Sequence, residues 1–180
     1  MKIKKFKYKY INSTNDIAIN LIKKKNVRAG FVLTEKQKKG RGQRGKKWIS
    51  YKGNLFVSVF FSLENINLTL KQLTIINTNL IIKLISFYYK KKIKVKLPND
   101  ILINKKKVCG ILQETIQKNG IKYLIVGIGL NLVKSPNIQG YPTTNLYELT
   151  KRKINANKVS KQLMLIYKNF LETKKVFKWY

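Results

Sequence analysis

The succession Ile101-Leu102-Ile103, Asn104-Lys105-Lys106-Lys107, Val108-Cys109-Gly110-Ile111-Leu112-Gln113-Glu114-Thr115-Ile116, Lys118-Asn119-Gly120, Tyr123-Leu124-Ile125-Val126-Gly127-Ile128-Gly129-Leu130-Asn131-Leu132 decides the fold. Its apolar and β-branched runs are bounded by clusters of turn-forming residues, so it reads as three strands: 101–103, 108–116 and 123–132. A hairpin turn over 104–107 joins the first two and a turn over 118–120 joins the last two. Connections this short require antiparallel neighbours. Gly127 and Gly129 stand two apart and face the same side, which in a strand points to a group that approaches the sheet closely.

Working upstream, Val95-Lys96-Leu97 is strand-like, and Pro98-Asn99-Asp100 interrupts that strand before Ile101 resumes it. Leu73, Ile76, Leu80, Leu84 and Phe87 recur at helical spacing, which predicts a core-packed helix over about 70–90. Leu55 to Leu63 and Gly30 to Thr34 read as buried strands. Phe6, Tyr8 and Tyr10 alternate with lysines as a first strand, and Ser13-Thr14-Asn15-Asp16 caps a helix carrying Ile17, Leu21 and Ile22. Downstream, a short helix starts near Thr143-Thr144-Asn145 and a longer one spans about Ala156 to Lys174. Hairpin-joined strands with segregated helices predict an α+β fold, a mainly antiparallel mixed sheet with helices packed on it, as a single domain over 1–180.

The formal charge of +32 would by itself suggest nucleic acid. Of the 39 basic residues, however, only Arg28, Arg41, Arg44 and Arg152 are arginine. The rest are lysines beside abundant Ile and Asn, residue types that share A/T-rich codons, so the charge reads as a compositional background on a solvated surface. No specific nucleic-acid partner is expected. Histidine is absent, which excludes Ser-His-Asp and Cys-His catalysis and His-based metal sites. Cys109 is the only cysteine; its apolar neighbours make it a small core residue, and a reducing compartment suits it. The basic N-terminus lacks the apolar run of a signal peptide, and the apolar stretch 73–89 is broken by Asn77, Asn79 and Lys83. A cytoplasmic protein without a membrane partner is the expectation.

Against that background Gln37-Lys38-Lys39-Gly40-Arg41-Gly42-Gln43-Arg44-Gly45-Lys46-Lys47-Trp48 stands out, with half of the arginines in one four-residue window. Three glycines and two arginines suit neither helix nor strand. Glycine lets the backbone come near a ligand and arginine offers a planar fork for phosphate or carboxylate oxygens, so this loop is a candidate anion site.

The loop, Lys96-Leu97-Pro98-Asn99-Asp100, Lys107-Val108-Cys109-Gly110 and Gly127-Ile128-Gly129-Leu130-Asn131 closely resemble, in order and spacing, the biotin protein ligases. The resemblance runs from Ser13-Thr14-Asn15 to Pro142-Thr143-Thr144 and covers most of the chain. It implies the class II synthetase-like catalytic domain of biotin and lipoate ligases, with ATP, Mg²⁺ and biotin as reactants. Biotin and ATP would give biotinyl-5′-adenylate, and a lysine of the biotin carboxyl carrier protein of acetyl-CoA carboxylase would take the biotinyl group. Lipoate ligation is the related alternative, and a basic nucleic-acid binder the non-enzymatic one.

By the same resemblance, Lys107 corresponds to the catalytic lysine, while Arg41 with the Gly40 and Gly42 backbone would hold the adenylate phosphate and biotin carboxylate, supported by Arg44. Ser13, Thr14, Asn15 and Gln37 would line the biotin pocket, with Ser13 also a helix cap. Gly110 and Gly129 would admit biotin and its chain, Trp48 would stack near adenine, and Asn99 and Asn131 would contact the nucleotide. Asp100 would position Mg²⁺ or the incoming amine, or fix its turn; Gly127 would serve packing. Gln43 departs from the arginine of many members, at a position associated with closing the loop over the adenylate, and Leu97 replaces a tryptophan. The chain is expected to lack both an N-terminal helix-turn-helix domain and a C-terminal SH3-like barrel. Oligomeric state is left open, a homodimer included.

Overall fold

The computed structural model describes residues 2–173. Strand β1 (Lys4–Ile11) passes through helix α1 (Thr14–Lys25) to β2 (Ala29–Gln37), which runs parallel to it. β3 (Leu55–Ser62), helix α2 (Leu70–Ser86), β4 (Lys94–Lys96), β5 (Asp100–Ile103), β6 (Lys106–Lys118) and β7 (Ile121–Leu130) follow, then helices α3 (Leu146–Thr150) and α4 (Ala156–Thr173). The seven strands form one sheet in the order β1-β2-β3-β7-β6-β5-β4, and every pairing of named strands after the first is antiparallel. This is the expected α+β class. Among the described residues no helix is long and apolar enough to cross a membrane.

Local signals account for the element ends. Ser13 caps α1 by accepting from the Asp16 amide at 3.4 Å; Asp16 lies in the first turn and Lys23, Lys24 and Lys25 in the last, each complementing the helix dipole. A capping box of Thr69 and Gln72 starts α2. That helix stops at Ser86, short of the expected 90, because the amides of Phe87, Tyr88 and Tyr89 turn back onto Leu84 and Ile85. Lys174, taken as the end of the last helix, lies outside the described residues.

Two further expectations change. Pro98 does not interrupt one strand: the chain reverses there, and β4 pairs antiparallel with β5, Lys96 opposite Asp100. The turn between β5 and β6 is shorter than four residues. Asn104 and Lys105 both take positive φ, 50° and 63°, the geometry of a two-residue hairpin whose twist matches its strands. Lys107 therefore sits within β6.

One face of the sheet carries the main core. Phe61, Val59 and Leu55 of β3, Cys109 and Ile111 of β6, and Val126, Ile128 and Leu130 of β7 pack with Leu73, Leu84, Leu163 and Phe170 of α2 and α4. On the opposite face α1 covers only one end, burying Phe60, Val32, Tyr123 and Ile125 against Ala18 and Ile22. The rest of that face, toward Gly110, Gly127 and Gly129, lies outside the α1 core.

Candidate active site

That uncovered half is the floor of a cavity of about 660 Å³, bordered by the segments 41–49, 96–100 and 136–143. Every residue singled out from the sequence lines it except Gly40.

Lys107 owes its place to a β-bulge. Ile101 pairs with Cys109 but the next residue, Leu102, pairs with Lys107, so Val108 is an extra residue in β6. Strict alternation would put Lys107 on the face of Cys109, in the core. The bulge leaves both Val108 and Cys109 in that core and turns Lys107 to the face of Gly110, where a Cβ would meet Lys107 Cε at 3.1 Å. The Lys107 amide donates to the Pro142 carbonyl at 2.9 Å, and the Thr144 amide donates to the Lys107 carbonyl at 2.9 Å, which clamps the bulge from the segment before α3. Lys107 Nζ lies 2.7 Å from Asp100 Oδ1, both side chains largely buried. Tyr141, which the sequence did not single out, donates its hydroxyl to Asp100 Oδ2. Burial, and then that bond, push the Tyr141 phenol up to about 12. Burial pushes the Cys109 thiol well above its ordinary range, as befits a core residue.

The Gly-Arg stretch is more structured than a plain loop. The Trp48 amide donates to the Gly40 carbonyl at 2.9 Å and the Gly42 amide to the Lys46 carbonyl at 2.7 Å, and Arg41 bridges Lys47 in antiparallel fashion. Gly40 is required because a Cβ would lie 2.5 Å from the Trp48 carbonyl oxygen: the loop closes on itself there. Arg44 holds a left-handed backbone at the tip, φ 53°, a conformation that costs a non-glycine residue roughly 1 kcal/mol or more. Trp48 lies across the floor, against Gly129 and within 2.7 Å of a Cβ built on Gly110. The group that these two glycines admit in the structure is the indole, with Lys107 Nζ 5.3 Å from the ring centre. Its buried Nε1–H has no hydrogen-bond partner among the described residues.

At the other end neutral polar side chains meet a cluster of charged ones. The Thr14 amide and hydroxyl donate to Gln37 Oε1 at 2.8 and 3.1 Å, and Gln37 Nε2 donates to Ser50 Oγ at 3.4 Å. Asn15 accepts from the buried Ser58 hydroxyl and donates to Glu114 Oε2 at 2.6 Å. Gly127 makes room for that amide, since a Cβ there would lie 2.5 Å from Asn15 Oδ1. Arg41 reaches over to the same Glu114 with both terminal nitrogens, at 2.8 and 2.7 Å, and to Asp16 at 2.9 Å. The bond to Glu114 raises the Arg41 pKa further. Two carboxylates thus occupy the fork expected to grip phosphate. Asn131, expected on the nucleotide, is buried and donates to the Thr144 carbonyl at 3.1 Å, and Asn99 donates to the Ile111 carbonyl at 3.1 Å.

The donor set does not fit a protein-held Mg²⁺. Asp100 already carries Lys107 and Tyr141, and no group of three or more Asp, Glu, His or Cys converges among the described residues. Of the three roles expected for Asp100, the structure bears directly on none; it shows the carboxylate paired with Lys107 and Tyr141.

Ser58, Glu114, Asp16 and Tyr141 belong to the site although the sequence reading passed over them. Acid scarcity was an available signal: only seven acidic residues occur in the chain, and Asp16, Asp100 and Glu114 all lie here.

The mixed sheet that carries this glycine-floored cavity is the fold of solved biotin protein ligases. The chain belongs to the biotin/lipoate A/B protein ligase family, whose model matches residues 8–131. It is 28% identical over 159 residues to the bifunctional ligase/repressor BirA of Escherichia coli, covering 87% of this chain and 49% of that protein. It is 31% identical over 112 residues to the biotin–[acetyl-CoA-carboxylase] ligase of Paracoccus denitrificans, covering 61% and 47% respectively. The chain thus spans about half the length of these relatives. Among solved structures, the Aquifex aeolicus biotin protein ligase in complex with biotin and ATP superposes with a TM-score of 0.75 at 27% identity, over 94% of this chain and 72% of that one. The Leishmania major enzyme with biotin gives 0.80 at 23% identity, over 92% and 73%, and supports the fold.

Proposed function

We propose that the chain joins biotin to ATP as biotinyl-5′-adenylate and transfers the biotinyl group to a lysine of a biotin carboxyl carrier protein. The observation that carries this reading is the make-up of one cavity: neutral donors and acceptors on Thr14, Asn15 and Gln37, and two cations, Arg41 beside them on Glu114 and Lys107 away from them on Asp100. A ureido ring needs the first and two anions brought together need the second.

In the first step a biotin carboxylate oxygen attacks the α-phosphorus and pyrophosphate leaves. The carboxylate is ionised at pH 7, so this step requires no protein base and suits a chain without histidine. Lys107, held by Asp100, is placed to offset the charge gathering between carboxylate and α-phosphate, with Arg41 and Arg44 on the Gly-Arg flap and Gln43 at its tip. Ser13 lies on the wall against which biotin would rest, the glycine floor carries the Trp48 indole, and Asn131 and Asn99 shape the nucleotide side. In the second step the carrier amine, after losing a proton, attacks the acyl carbon and AMP leaves. A reducing, cytoplasmic setting accords with a lone buried thiol.

The test is ATP–pyrophosphate exchange with biotin and lipoate in competition, followed by a streptavidin blot of a biotin carrier domain. Biotin-driven exchange and labelling are expected. Exchange driven only by lipoate would overturn the reading, and binding to nucleic acid that persists at physiological salt would favour the basic-binder alternative.

A further inference from the structure

Glu114 ties α1 to the Gly-Arg loop beside the Asn15 end of the cavity. Its Oε2 accepts from Asn15 Nδ2 at 2.6 Å and from Arg41 Nη2 at 2.7 Å, while its Oε1 accepts from Arg41 Nη1 at 2.8 Å. Asn15 comes from α1 and Arg41 from the flap, so one carboxylate on β6 fixes a side chain from each. Asn15 is 2% exposed, its Oδ1 accepts from Ser58, and Gly127 lies against it. An inverted amide would set oxygen against the Glu114 carboxylate, so Glu114 dictates which way the Asn15 amide points.

We propose that Glu114 is a positioning residue that couples biotin recognition to nucleotide binding by holding the Asn15 amide and the Arg41 guanidinium in one fixed relation. The inference rests on the biotin-ligase reading above. All three contacts use Glu114 as an acceptor. A glutamine of the same shape offers one acceptor and one donor, and its NH₂ must confront a donor on Asn15 or on Arg41. Asp16, the other carboxylate on Arg41, touches Nη2 alone and is nearly half exposed, so it cannot substitute for a fork-to-fork pair.

Titration calorimetry on the full chain tests this, with biotin alone and then with α,β-methylene-ATP at saturating biotin, on wild type, E114Q, N15A and N15A/E114Q. E114Q is expected to weaken both ligands by about tenfold, as befits hydrogen bonds to a charged group. N15A is expected to weaken biotin only. Adding E114Q to N15A is expected to leave biotin affinity where N15A put it and still to weaken the nucleotide about tenfold. A merely structural residue lowers the melting temperature and does not give that selective cancellation. Wild-type affinity of E114Q for either ligand overturns the coupling, and additive loss of biotin affinity in the double variant overturns the route through Asn15. A wild-type chain that binds no biotin overturns the functional reading and the inference with it; wild-type binding with an unaffected E114Q overturns the inference alone. Should E114Q lose its cooperative melt, E114D, which keeps both acceptor oxygens and withdraws them by one methylene, is measured with the same expectations.

Discussion

On β6 and β7, Cys109, Ile111, Val126, Ile128 and Leu130 pack against α2 and α4, while the residues one step along, Gly110, Gly127 and Gly129, face the cavity, and Glu114, further along β6, holds Asn15 and Arg41 beside it. The same two backbones serve both layers. One set supplies volume and the other removes it or supplies charge, so adjacent positions along a strand answer to different demands. The core layer does contain polar groups, but they are matched: the Tyr167 hydroxyl donates to Asn77 Oδ1 at 2.8 Å, and Asn77 Nδ2 donates to Gln113 Oε1 at 3.2 Å. The cavity layer instead keeps the unmatched Trp48 indole N–H.

The widest contrast between the layers should appear in thiol chemistry. Cys109 is fully buried and its pKa is pushed up by that burial, so alkylation in native conditions should run at least about 10³-fold slower than in denaturant and track global unfolding. Labelling faster than unfolding would break the distinction between the two faces. Next in size, Lys107→Ala should lower ATP–pyrophosphate exchange by about 10²–10³-fold while the protein still melts cooperatively. Near-wild-type exchange would remove Lys107 from its role. Its counterpart on the core face, Leu130→Ala, should cost about 2–5 kcal/mol in denaturant titrations yet leave biotin affinity alone at temperatures where the variant is folded; a change in biotin affinity would show that the layers are not separable. The smallest effect belongs to the flap. Gln43→Arg should slow release of free biotinyl-adenylate several-fold, roughly 1 kcal/mol for an added charge near the phosphate, and equal release rates would show that Gln43 is not a weak point in closure.

The period-two pattern made the strands and the same-face glycines legible, and the rarity of arginine made the flap legible. Three things escaped. The reversal at Pro98 looks in sequence like an interruption, because a turn and a break use the same residues. The bulge lies within a stretch that still reads as a strand, and its one trace, two consecutive apolar residues Val108-Cys109 after the lysine run, is too short to betray a change of phase. Glu114 was quoted within its segment but given no role, since one acid on a strand gives no hint that an amide from α1 and a guanidinium from the flap converge on it. Such convergence is a tertiary fact, set by the register of Glu114 opposite Ile125 and by where α1 lies.

The extra residue at Val108 has an implication for how this chain can change. Deleting Val108 would leave Lys107 on the face of Gly110, because Leu102 already pairs with Lys107 and Ile101 with Cys109; the ladder would lose its bulge and the core one apolar side chain. The bulge thus lets β6 add apolar volume to the packed layer without moving the lysine on the other side of the sheet.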